Sequence, residues 1–178
     1  MIDSEIWKEK LEQDVAVLRK RLNQRRWSGK SITLFEGELM LIFFSIRVLI
    51  EADKLTDRTS QKEYTLTMHP NKRKVIDDLS KYDIDKAFDI DSRIENKLTL
   101  KLLTQQFIHA YVICAYSSEN GSVAGVLLCS DWGKRNYLIR LPIDLAIEII
   151  EDVIADEIHE MHSVRDKKSG ELRKIKIL

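Results

Sequence analysis

Gln105 and His109 are polar residues in a stretch, Leu98 to Val112, that is otherwise apolar enough to form a packed helix. Residues four apart stack on one helix face, so we expect Gln105 and His109 to extend the face of Leu98, Leu102 and Val112. Histidine titrates near neutral pH and can act as an acid, a base or a metal ligand. The spacing predicts a small polar site. The simpler alternative is a core histidine bonded to a neighbouring carbonyl or glutamine.

Arg47 is a second polar residue within an apolar helix candidate, the run from residue 39 to residue 50. Its planar guanidinium suits a phosphate or carboxylate ligand. The alternative is an internal ion pair with Glu51, one turn later, or with an acid from elsewhere. We expect the helices of Arg47 and His109 to pack together, so a common pocket would combine anion binding with proton transfer. On this hypothesis the chain is a small hydrolase-like or nuclease-like enzyme with Arg47, Gln105 and His109 as catalytic candidates.

Charge patterning supports a different and favoured hypothesis. The end of the first helix candidate is basic, which suits the helix dipole, whereas a later helix candidate, 143–158, carries an acidic face. Such surfaces can meet within one molecule, across a dimer or with a partner. The pattern favours a binding or assembly module that acts through protein–protein contacts or self-association. Its partner-binding candidates are Arg19, Arg21, Arg25 and Arg26, and the acidic face comprises Asp144, Glu148, Glu151, Asp152 and Asp156.

The overall charge gives no support to nucleic-acid binding. The chain has 29 basic and 29 acidic residues, so its formal net charge is zero. A domain that binds nucleic acid is usually basic. Nucleic-acid contact through the basic N-terminal helix is therefore kept only as a less favoured alternative.

The sequence predicts neither a metal site nor a cofactor. The segment from Glu157 to His162 holds two histidines, but they are three residues apart and do not match the H-E-x-x-H spacing of zinc enzymes. We also find no glycine-rich phosphate loop, nucleophile elbow or Cys-x-x-Cys pattern. The sequence therefore contains no such motif that would identify a reaction.

The two cysteines predict a reduced protein. Cys114 and Cys129 flank an Asn120-Gly121 turn, and a hairpin with that tip places residue 114 opposite residue 127, about two residues out of register for a disulfide. The N-terminus has no signal-peptide pattern. The longest apolar run is shorter than the roughly 20 residues of a membrane span and contains Arg47. We expect a cytoplasmic protein without a membrane segment.

Hydrophobic periodicity predicts one α+β domain over residues 1–178, in which N-terminal helices pack on a mostly antiparallel sheet made of a meander plus a C-terminal hairpin. Residues 1–30 would hold an extended N-terminal helix. The region 71–97 suggests a short helix near 75–79 and then an irregular connection. The predicted helices are 4–26, 34–55, 99–110 and 143–158, and the predicted strands are 64–69, 111–116, 123–129, 137–141 and a hairpin after residue 160. For 111–116 the alternative is a continuation of the helix 99–110, and the Asn120-Gly121 turn favours the strand.

Three local patterns complete these expectations. Thr33 to Glu36 matches a capping box, which predicts the start of the second helix near Leu34. Residues 56–62 are polar and predict a surface loop. The segment 131–136 predicts a solvated turn whose Trp132 packs on the body of the protein, although loops beside a rigid sheet often carry function.

Overall fold

The computed structural model describes residues 4–119, 121–165, 169–170 and 172–178, with the backbone alone at 173–175. Their order confirms the predicted α+β class. The elements are α1 (Ser4–Leu22), α2 (Gly29–Glu51), α3 (Asp57–Ser60), β1 (Glu63–Pro70), α4 (Ile84–Ala87), β2 (Ile94–Thr99), α5 (Leu100–Ile108), β3 (Ala110–Ser117), β4 (Val123–Ser130), a 3-10 turn (Gly133–Arg135), β5 (Tyr137–Pro142), α6 (Ile143–Ile154), β6 (Met161–Arg165) and β7 (Leu172–Ile177).

Five strands form one antiparallel sheet in the order β2-β1-β5-β4-β3, and β6 pairs with β7 in a separate hairpin. The meander β3-β4-β5 is as predicted. Cys114 lies opposite Leu127 and Cys129 lies opposite Val112, and both thiols are free. The expected offset of the cysteines is therefore confirmed. Parts of the predicted 1–30 segment and of the predicted turns lie outside the described residues, namely Ile2, Asp3, Asn120 and 166–168.

The core lies between the sheet and a layer made of α1, α2, α5 and α6. The inner side of α5 packs against α2. There the ring of Phe107 stacks on the ring of Phe43 from α2, with a distance of 4.0 Å between the ring centroids. This contact confirms that the helices of Arg47 and His109 pack together. The other sheet face is partly covered by the connection between β1 and β2, whose Phe88 packs near Cys129 and Leu138. β4 is thus enclosed on both sides, as its continuous apolar run predicts.

The second helix starts five residues earlier than the Thr33 capping box predicts. Ser28 has extended backbone angles, its hydroxyl accepts from the Ser31 amide, and the Ser31 hydroxyl accepts from the Ser28 amide. Thr33 instead donates its hydroxyl to the Gly29 carbonyl within the helix. The predicted cap is therefore wrong. The earlier start adds more than one turn of backbone hydrogen bonds to α2. These bonds stabilise the helix more than a cap at Thr33 would.

The polar segment after α2 is not a surface loop. It forms α3, and the side chains of Thr56, Thr59 and Ser60 are buried. The sequence cannot show this because the polar residues are buried by partners far along the chain. The first and last long helices also end early, at Leu22 and Ile154.

The connection 71–97 differs from its prediction at both ends. Residues 75–77 are irregular and 78–80 form a turn, with the Asp77 carboxylate accepting amide hydrogens from Leu79 and Ser80. Its last residues form strand β2 at the sheet edge, where most side chains face solvent. A solvated edge strand lacks the apolar alternation by which strands are detected, so the pattern misses it. Within the described residues, no helix has the length and apolarity needed to cross a membrane.

Candidate functional site

Gln105 and His109 lie on the solvent side of α5, so their expected place on a packed apolar face is wrong. Both side chains are exposed, as is that of Leu102. The buried residues of α5 are Leu100, Leu103, Thr104 and Phe107. His109 is the C-cap of the helix and donates its backbone amide to the Gln105 carbonyl. Apolar residues lie on both sides of α5, so the sequence alone did not show which face of the helix is buried.

Arg47 forms an ion pair with Glu51, which was the alternative that the sequence offered to a ligand-binding role. Its guanidinium binds the Glu51 carboxylate at 2.7 Å and donates to the Lys101 carbonyl at 3.4 Å. Lys101 lies in the first turn of α5 and His109 is its C-cap, so eight residues, about 12 Å of helix, separate the two positions. The structure therefore brings the helices of Arg47 and His109 together but not the two side chains.

The basic end of α1 is partly used inside the molecule. Arg19 pairs with Glu151 on the acidic face of α6. Arg21 binds Glu38 of α2 through two nitrogens, at 2.7 and 3.2 Å. Arg25 and Arg26 follow the helix and are exposed. The basic end of α1 and the acidic face of α6 therefore meet within one molecule, through Arg19 and Glu151.

A buried carboxylate holds the end of α6 to α3. Asp156 accepts the Thr56 amide at 2.8 Å and the hydroxyls of Thr56 and Thr59 at 2.6 Å each, while its backbone carbonyl accepts from Lys8. The sequence places Asp156 on a solvated acidic face, but it is buried. Its four acceptor contacts tie together α1, α3 and the chain after α6, so its first role is to fix these elements.

A cleft of about 800 Å³ opens beside this carboxylate. Its lining includes Lys62 and Asp152, which pair with each other, and Asp152 also accepts from the Tyr64 hydroxyl at 2.7 Å. Burial of Tyr64 and its bond to Asp152 raise the pKa of the Tyr64 hydroxyl. A phenol held protonated donates a hydrogen bond at neutral pH and is a poor base. The carboxylates of Asp152 and Asp156 in the cleft are thus engaged by neighbouring donors.

The paired histidines after α6 lie at the edge of this region. His159 lines the cleft, and the His162 ring is 3.1 Å from the Glu160 carboxylate. Among the residues that the structure describes, no group of three histidine, cysteine or acidic side chains is arranged to hold a metal ion.

Large apolar side chains are exposed on two neighbouring loops, the 71–82 segment and the turn that contains Trp132. The expectation that Trp132 packs on the body is wrong, because its side chain is 87% exposed. Leu79 is 96% exposed, and Val75 and Tyr82 are also exposed. We call Val75, Leu79, Tyr82 and Trp132 the loop surface. Large apolar side chains exposed together are typical of interaction sites.

Two loops present the loop surface side by side because specific contacts join them. The Asn71 amide group donates to the Lys134 carbonyl at 2.7 Å, and its oxygen accepts the Lys74 amide at 2.7 Å. The Tyr111 ring lies between the loops, with the Lys134 ammonium 3.5 Å and the Lys81 ammonium 5.9 Å from its centroid. Asn71 thus joins the start of the 71–82 segment to the Trp132 turn, and Tyr111 of β3 contacts both loops.

The sequence contains only a weak signal for the loop surface. The polar turn around Trp132 stands out by its composition, but Leu79 and Val75 resemble the inner face of a short helix. These loops are brought together by the pairing of Pro70 with Tyr137 and by the tertiary contacts of Asn71 and Tyr111, which a one-dimensional pattern does not show.

Comparisons with known proteins do not assign the chain to a class. No protein-family model, no curated protein and no solved structure matches it. The proposals below therefore rest on the chain's own geometry.

Proposed function

We propose that this chain is a binding or assembly module that acts through protein–protein contacts, with the loop surface as its docking site. The observation that carries the proposal is the joint exposure of Leu79 and Trp132 on loops pinned by Asn71. Burying apolar area against a partner is the main favourable term in association. Tryptophan and tyrosine are also enriched among the residues that dominate binding energy.

The surroundings of the loop surface resemble the rim of an interface. Lys134 pairs with Asp131, and Lys81 pairs with Asp78, so charged side chains of both signs border the apolar residues. Interfaces commonly combine an apolar centre with a polar, solvated rim. A partner of matching form would present an apolar pocket for Trp132 with polar residues around it.

The test is quantitative capture from an extract of the source cells, using the tagged full chain and the variants Leu79→Glu and Trp132→Ala. We expect each variant to lose most of the captured partner, since truncating an interface tryptophan commonly costs about 2 kcal/mol or more. Ile6→Glu, at an exposed apolar position of α1, is the matched control and should keep the partner.

Both variants should unfold at the same urea concentration as the wild type, because the replaced side chains face solvent. A captured set that is unchanged in both variants would overturn the assignment of this surface. Capture lost only through unfolding would be detected by the urea midpoint.

A further inference from the structure

The long helix α2 has a second apolar stripe on the side away from the core. Its inner face consists of the buried residues Phe35, Leu39, Ile42, Phe43, Ile46 and Leu49. On the outer side, Leu34, Leu41 and Phe44 are exposed, with Leu41 at 69%. The outer stripe runs, at alternating steps of four and three residues, through Lys30, Leu34, Gly37, Leu41, Phe44, Val48 and Glu51.

The spacing of this stripe is that of a coiled-coil seam. Apolar residues at steps of three and four repeat every seven residues and form one line along a helix, into which a second helix can pack. α2 has 23 residues, so the seam is about 34 Å long. Gly37 is exposed, and a Cβ added there would meet nothing within 4 Å. The helix therefore offers a shallow notch beside Leu41 and Phe44.

The charges at the two ends of the stripe select its partner. Lys30 lies at the N-terminal end and Glu51 at the C-terminal end, while the stripe between them is uncharged. When two copies of α2 pack antiparallel, each Lys30 approaches the Glu51 of the other copy. In the parallel arrangement, like charges would meet at both ends. The antiparallel arrangement also opposes the two helix dipoles favourably.

We propose that the outer stripe of α2 is a self-association surface, through which two copies of this chain pack α2 against α2 in antiparallel, two-fold symmetric fashion. A two-fold interface uses the same patch on both copies, and the stripe supplies a cation at one end and an anion at the other. Glu51 also binds Arg47 in its own chain, but its side chain remains largely exposed and accessible to a second cation.

The expected affinity follows from the size of the contact. A single seam of about 34 Å buries less than the roughly 800 Å² per partner of a standard interface. We therefore expect a dissociation constant on the order of 1–100 µM. This proposal uses a surface separate from the loop surface and does not depend on it.

Sedimentation velocity of the purified full chain at concentrations from about 1 to about 300 µM tests self-association over that range. We expect a monomer–dimer equilibrium for the wild type. Leu41→Glu should weaken it at least about 30-fold, because it places unpaired carboxylates in the seam. Ile6→Glu introduces the same charge at a position of α1 that is 63% exposed, and should leave the equilibrium unchanged. Equal urea midpoints of these variants would show that folding is intact.

A charge exchange tests the antiparallel orientation. Lys30→Glu and Glu51→Lys should each weaken the dimer about 3- to 10-fold, and the double variant should recover most of the loss, because opposite charges meet again. A wild type that stays monomeric at the highest concentration would overturn the proposal. A dimer that Leu41→Glu leaves intact, or whose charge variants show no rescue, would do the same. A monomeric chain whose stripe captures another protein's helix would also contradict it.

Discussion

Thr56 and Asp156 are one hundred residues apart in the chain and are joined by two hydrogen bonds. The Thr56 hydroxyl donates to one carboxylate oxygen at 2.6 Å and the Thr56 amide donates to the other at 2.8 Å. Thr59 adds a third donor at 2.6 Å. Charged hydrogen bonds are stronger than neutral ones, and these are buried. This contact fixes the chain after α6 against the chain after α2.

Asp156→Ala should destabilise the protein by about 3 kcal/mol, because it leaves three buried donors without their acceptor. The neighbouring Glu157→Ala, at an exposed acidic position, should cost less than about 0.5 kcal/mol. Urea denaturation followed by circular dichroism measures both changes. Equal losses from the two variants would show that the carboxylate of Asp156 does not hold these elements together.

Ser28→Ala should lower the free energy of unfolding by about 1 kcal/mol, since it removes half of the capping box of α2. Thr33→Ala should have little effect, because the Thr33 hydroxyl only bonds back to a carbonyl of its own helix. Thermal unfolding of the two single variants compares the observed cap with the one that the sequence suggests. A larger loss from Thr33→Ala would place the helix start where the sequence pattern puts it.

His69 and His109 should differ sharply in their contribution to stability. His69 is buried in β1, and its Nδ1 faces the Ser92 carbonyl at 3.0 Å, so this nitrogen carries the proton. His69→Ala should cost about 2–3 kcal/mol through the lost contacts and the unpaired carbonyl. His109→Ala should cost less than about 0.5 kcal/mol because its side chain is exposed. Chemical denaturation of both variants at pH 7.5 measures the two losses of stability. A large loss from His109→Ala would contradict the exposed position of the His109 side chain.

Gly125→Ala should disrupt the meander. A Cβ at this position would lie against the Leu141 carbonyl oxygen and 2.8 Å from the Pro142 Cα, both of them backbone atoms of the adjacent strand. Backbone cannot move aside as a flexible side chain can, so we expect a loss of at least about 3 kcal/mol or failure to fold. Gly37→Ala, in open space on α2, is the matched control and should be neutral or stabilising. Expression level and melting temperature provide the comparison.

The cysteines should be unreactive at neutral pH. Burial raises the pKa of the Cys114 thiol to about 11 and that of Cys129 to about 12, with nearby Glu36 adding to the shift of Cys114. With its pKa raised from 9.0 to about 11, the Cys114 thiol forms about 100-fold less thiolate, the species that reacts with iodoacetamide. Native protein at pH 8 should therefore be alkylated about 100-fold more slowly than protein unfolded in urea. Equal rates would contradict the burial of both thiols.

The same shifts have a consequence for stability at high pH. A folded protein that holds these protons more tightly than the unfolded chain keeps the associated stability below pH 9. That contribution is lost as the pH rises from 9 through the folded pKa values of about 11 and about 12. A variant with alanine at both cysteines should therefore lose less stability between pH 8.5 and pH 11 than the wild type, as measured by urea denaturation.

Much of the architecture was readable from periodicity and turn chemistry. The apolar stripe of α6, the apolar run of β4 and the strand pairing beside the turn before Val123 each reflect a local rule, and the structure agrees with them. In α1, Leu11, Val15 and Leu18 are buried as periodicity predicts, whereas Ile6 and Leu22 are exposed. The cysteine offset also follows from local geometry, because the register of a hairpin is set by its tip. These features are decided by residues that are close together in the chain.

The tertiary structure alone decided which polar residues are buried and which apolar residues are exposed. Asp156 is buried because Thr56 and Thr59, about one hundred residues earlier, supply its donors. Leu79 and Trp132 are 96% and 87% exposed, on loops that the contacts of Asn71 and Tyr111 join. Burial depends on what packs against a residue, and those partners are set by the whole chain rather than by its neighbours in sequence. The sequence by itself therefore determined the class of fold and most elements, and the tertiary structure determined which side chains are buried and which remain exposed.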